Sequence, residues 1–166
     1  MGRKRNFIQR KIFSFVVIFS LISNLSASVD KSIDKHKEHF SKIALQIWSN
    51  AELGYQEIES SKLLSDALAK EGFTISKSVA GIPTAFIAEY GSKGPVIAIL
   101  GEFDALPGLA QSSSPFKEVI NNNTGAGHAC GHHLFGAASA WAAVSVKEWL
   151  EESNIEGRVR FYGTPA

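Results

Sequence analysis

Four side chains able to ligate a metal fall within six residues: His128, Cys130, His132 and His133. A thiolate and a neutral imidazole are the usual soft and borderline donors to a zinc-like ion, and Gly131 permits the tight backbone that turns Cys130 and His132 toward one point. Glu102 and Asp104 supply carboxylates upstream. Each residue alone has a plainer reading. A lone Cys is commonly a small buried hydrophobe, a loop His a hydrogen-bonding group, Asp104 a turn residue and Glu102 a solvating group at a strand end. The combination favours metal, because three of the chain's five His and its one Cys share this stretch. A catalytic zinc takes about three protein groups plus water, so Cys130 and His132 need further donors from Asp104, His128, His133 or residues outside the chain.

The pattern around these residues predicts what positions them. Pro95 to Leu100 is continuously apolar, as in a strand buried on both faces, and Glu102 and Asp104 follow it directly. Leu134 to Leu150 reads as an Ala-rich buried helix, apolar almost all round, with Trp141 and Trp149 in the core. The Cys and His cluster therefore opens a helix, whose dipole favours a thiolate. Gly157 to Tyr162 alternates as a returning strand. Strand, crossover helix and strand make a βαβ unit, hence an α/β fold with a mixed, partly parallel sheet flanked by helices. Ligands in such sheets bind beyond the carboxyl ends of strands, where both clusters fall. The stretch between them is long, polar and without periodicity, a kind of connection that is usually functional or disordered.

Upstream, the spacing of Ile33, Phe40, Ile43, Ala44, Ile47 and Trp48 predicts an amphipathic helix capped by Asp30 or Ser32. A second helix runs from Glu59 to Glu71 and stops at Gly72. Phe73 to Val79 and Thr84 to Tyr90 read as a strand pair around the Gly81-Ile-Pro83 turn, and Glu52 and Glu57 as cap and turn groups. There is no internal repeat or low-complexity tract.

The chain has 166 residues with 17 Lys and Arg against 16 Asp and Glu, but the balance is uneven. Arg3, Lys4, Arg5, Arg10 and Lys11 crowd the start, followed by an apolar run from Ile12 to Leu25 and small residues to Ser28. This is the layout of a signal peptide over residues 1–28, and at 14 residues the apolar run is shorter than the roughly 20 that span a bilayer. The expectation is export to a periplasmic or extracellular space, with no membrane attachment after cleavage. Residues 29–166 then carry 12 basic and 16 acidic groups, a net of −4. With no basic stripe, nucleic acid is not an expected partner. With 10% aromatic residues, disorder is excluded as well.

In these stretches the chain resembles the dinuclear-metal aminoacylase and carboxypeptidase family of metallopeptidases and amidohydrolases, most of all its p-aminobenzoyl-glutamate hydrolase B-subunit type. The resemblance is carried by Ala51-Glu-Leu-Gly-Tyr-Gln-Glu57, Gly81-Ile-Pro-Thr-Ala-Phe86, Gly101-Glu-Phe-Asp-Ala-Leu-Pro-Gly108, Gly127-His-Ala-Cys-Gly-His-His-Leu-Phe-Gly136 and Tyr162-Gly-Thr-Pro-Ala166. It implies hydrolysis of a small-molecule amide, an N-acyl amino acid or aminobenzoyl-glutamate-like compound, by water activated on two divalent ions, zinc or manganese. Cys130 and His132 match the family's metal-ligand pair, and Asp104 its catalytic acidic residue beside the metals. His133 stands where relatives often have Asp, and Glu102 where more distant members place a metal-binding His. In the family, Gly-Thr-Pro-Ala runs into a Glu pair serving as base and ligand, and an inserted second domain makes a homodimer. Neither is within these residues, so residues 29–166 are expected to be the N-terminal portion of the catalytic domain and inactive alone. The alternative is a non-catalytic metal-binding or interaction fragment with a hydrolase-derived fold.

Overall fold

The computed structural model describes residues 29–165. The leader expected at 1–28 lies outside the described residues. Helix α1 occupies the described residues 29–50, so Asp30 and Ser32 lie within the helix rather than before it. Ser32 is buried and its hydroxyl meets Ser145 at 3.0 Å. Next come helix α2 (Ile58–Lys70), strand β1 (Thr74–Lys77), a short 3-10 turn (Val79–Gly81), β2 (Phe86–Tyr90) and β3 (Val96–Gly101). The chain continues through β4 (Leu106–Pro107), β5 (Ala126–Gly127), helix α3 (His132–Ser153) and β6 (Arg158–Gly163).

The main sheet has the order β1-β2-β6-β3. β1 and β2 are antiparallel with Thr74 opposite Glu89, β2 and β6 are antiparallel, and β3 runs parallel to β6 with Gly101 opposite Gly163. The expected βαβ unit is therefore β3-α3-β6. Alternation along β2 and β6 sends Phe86, Ala88, Val159 and Phe161 into one core with Phe40, Ile47, Leu64, Leu68, Ala140 and Val144 of the helices. Phe40 of α1 stacks on Trp141 of α3 with ring centroids 6.0 Å apart.

Two expectations are corrected. β3 is not buried on both faces: Val96, Ile97 and Leu100 are exposed, and only Gly101 of this strand is buried. Among the described residues β3 pairs on one side only, and the helices pack on a single face of the sheet. Helix α3 is likewise not buried all round. Gly136, Ala137, Ala140, Ala143, Val144 and Leu150 form its buried stripe, while Leu134 and Phe135 are exposed and Trp141 and Trp149 only partly buried.

The polar connection after β3 is ordered by a device that the sequence pattern did not reveal. Leu106 and Pro107 pair antiparallel with Gly127 and Ala126, forming a two-residue ribbon. A ribbon this short shows no readable alternation, yet it carries the far end of the connection back beside Asp104. No helix among the described residues is long and apolar enough to cross a membrane.

Candidate metal centre

Glu102 and Asp104 leave the carboxyl end of β3, the strand paired in parallel with β6. Thr164, just past β6, closes the same end by donating its N–H to the Gly101 carbonyl at 3.0 Å. Helix α3 begins opposite. Its N-cap, Gly131, has φ +85°, a left-handed conformation that glycine adopts without penalty. One turn into α3, Gly136 lies so close to the strand end that an added Cβ would stand 2.6 Å from the Glu102 carbonyl oxygen. The missing side chain is what lets the start of α3 approach the carboxylates.

His132 is the meeting point. Its Nδ1 lies 2.6 Å from Asp104 Oδ1 and its Nε2 2.8 Å from Glu102 Oε2. Asp104 is buried, whereas Glu102 is partly exposed. Ligand atoms of Glu102, Asp104 and His132 all lie within 4.8 Å of one another. The tautomer that gives its Nδ1 proton to buried Asp104 has its Nε2 lone pair free for a metal, the arrangement by which a carboxylate orients a ligating histidine. One nitrogen and a carboxylate in reach, with a cysteine sulfur two residues away in sequence, is a donor chemistry suited to zinc or a related divalent ion.

The structure thus joins Asp104 to His132 and adds Glu102. Cys130 lies in the turn before α3, exposed, and is not part of the three-residue group. His128 and His133 face each other with ring centroids 5.0 Å apart. Burial lowers the pKa of His128, and burial reinforced by His128 pushes His133 down to about 4, so both rings are neutral at pH 7. Glu52 and Glu57 act as the sequence implied, as scaffold groups. The Glu52 carboxylate accepts the Glu59 and Ser60 N–H groups at 3.0 and 2.8 Å, and fully buried Glu57 accepts the Thr84 hydroxyl at 2.9 Å.

A mixed sheet with two carboxylates and a histidine gathered at one strand end is an arrangement that can hold a divalent ion. No model of a known protein family matches the sequence. The chain is nevertheless 43% identical over 137 residues to the B-subunit of p-aminobenzoyl-glutamate hydrolase from Escherichia coli, matching 82% of this chain and 28% of that protein. It is 35% identical over 117 residues to N-acetylcysteine deacetylase of Bacillus subtilis, covering 69% of this chain and 29% of the relative. Among solved structures, a dinuclear metal-binding peptidase of the M20 family from Bacillus subtilis superposes with TM-score 0.64 at 30% identity, over 80% of this chain and 36% of that one. The chain is thus similar to two amide-cleaving hydrolases and to a peptidase of the M20 family, and it spans about a third of their length.

Proposed function

We infer that the protein is a metal-dependent amidohydrolase and that this chain supplies the first ligands of its centre. The observation that carries the reading is the buried Asp104 carboxylate on His132 Nδ1, at the end of a parallel strand pair and two residues after Cys130. Asp104, placed as the catalytic acidic residue, holds the His132 proton and ring orientation. His132 and Cys130 are the metal ligands, and Glu102 stands as an additional oxygen donor. Divalent ions bound here, two in the complete site and zinc or manganese in kind, supply Lewis acidity that acidifies water and polarises an amide carbonyl. The substrate class is an N-acyl amino acid or aminobenzoyl-glutamate-like amide, in keeping with the names of the relatives. Export through the leader at 1–28 and a homodimer of the complete enzyme belong to the same reading.

The test is metal analysis after zinc or manganese loading, alongside hydrolysis of p-aminobenzoyl-glutamate and N-acetylcysteine. The full chain should retain metal through gel filtration, and a chain extended with the remaining two-thirds of a relative should hydrolyse at least one of the two amides. Loss of all metal on gel filtration contradicts the reading. Metal retention with no hydrolysis by the extended chain would instead favour a non-catalytic metal-binding module.

A further inference from the structure

The last turn of α1 and the stretch that follows it touch both halves of the candidate metal centre. The Ile47 carbonyl accepts the His128 Nε2 proton at 2.9 Å, in the protein interior. The Glu52 carbonyl accepts the N–H of Ala105, the residue after Asp104, at 2.7 Å, and Leu53 forms a parallel β-bridge with Ala105. The Glu52 carboxylate grips the start of α2, so the stretch is anchored at its far side too. Within it, Ala51 is buried at φ +43°. A non-glycine residue keeps that left-handed conformation only where its surroundings over-determine it, and such residues gather where geometry matters to function.

His128 is the other end of this brace. The residue is 7% exposed and its Nδ1 has no hydrogen-bond partner, so its ring is held by the bond to Ile47 and by packing against the His133 ring. The His128 carbonyl accepts the Gly131 N–H at 3.1 Å, closing the turn that contains Cys130. One residue therefore pins the ligand turn to the element that also holds the Asp104 loop.

We propose that His128 is a positioning residue. Its hydrogen bond to Ile47 sets the Cys130–His132 turn at the separation from Asp104 that metal binding requires, with residues 47–53 as the common brace. The proposal rests on the reading of Cys130 and His132 as ligands. A histidine that only filled the core would tolerate an apolar ring of similar size without effect on the metal. A brace would not.

Cobalt(II) titration of the full chain separates the two, read by the thiolate-to-cobalt charge-transfer band and checked for folding by circular dichroism. His128→Phe should fold yet bind cobalt about 10- to 100-fold more weakly, the usual loss when a group supporting a ligand is removed. His128→Gln, whose amide N–H can reach the same carbonyl, should recover most of that affinity. Equal affinity of wild type and His128→Phe overturns the proposal. No thiolate band in the wild type overturns the ligand reading itself, and this proposal with it. Should His128→Phe fail to fold, nitrogen-15 spectra of the wild type decide. The His128 Nε2 proton should exchange with solvent more slowly once zinc is bound, and an unchanged rate overturns the proposal.

Discussion

Asp104 and His132 are 28 residues apart in sequence and 2.6 Å apart at their carboxylate and imidazole. One arrives from the end of β3 and the other opens α3, so the bond ties the crossover helix to the strand it follows. Because Asp104 is buried, little water competes for the His132 proton.

Replacing Asp104 by Asn keeps the shape and removes the charge that orients His132. Divalent-metal affinity should fall about 10- to 100-fold with the fold intact. Competition against a chelator of known strength measures this, and undiminished affinity would show that Asp104 does not support the ligand.

Gly136→Ala sets two effects in opposition. Alanine favours a helix interior by about 1 kcal/mol over glycine. Its Cβ, however, would meet the Glu102 carbonyl oxygen at 2.6 Å, a backbone atom that cannot swing aside. Overpacking of this kind costs about 1–3 kcal/mol, so the urea midpoint should drop. A rise would mean that α3 does not press on the strand end.

Far from the site, Glu148 of α3 accepts bonds from Lys35 at 2.6 Å and His36 at 2.9 Å, both on α1. Burial works to raise its pKa, but these donors hold it down at about 2 against an ordinary 4.5. A depressed carboxylate stabilises the fold above its unfolded pKa, and that contribution fades as pH falls through the folded value. Wild type should lose stability between about pH 4.5 and 2, and Glu148→Gln should lose less across that window. Parallel stability curves would refute the linkage.

The outer edge of β3 makes a prediction about association. Leu100 and Ile97 are exposed on a strand that, among the described residues, is paired on one side, an arrangement that invites edge-to-edge contact. Leu100→Lys should shift the chain toward monomer in sedimentation velocity at high concentration. If self-association is unchanged, the contact runs through another surface.

Much of this was legible in the sequence, for reasons particular to each element. Continuous apolarity marked β3, alternation marked β6, and an Ala-rich apolar run marked α3, which together imposed the βαβ unit and put Glu102 and Asp104 at a strand end. The burial of β3 was misread because apolarity reports what a strand can bury, and the pairing that decides it lies on another element. The ribbon joining Leu106 to Gly127 escaped notice because two residues carry no period. His128 was legible only as one more imidazole in a cluster. Its bond to a backbone carbonyl 81 residues earlier has no side-chain signature at the accepting end.

The central claim is that Cys130 and His132 share an ion. X-ray absorption at the zinc edge of the loaded chain tests it most directly. A sulfur scatterer at about 2.3 Å together with nitrogen or oxygen at about 2.0–2.2 Å is the predicted result, the sulfur shell vanishing in Cys130→Ser. A first shell of nitrogen and oxygen alone, identical in wild type and Cys130→Ser, would contradict it.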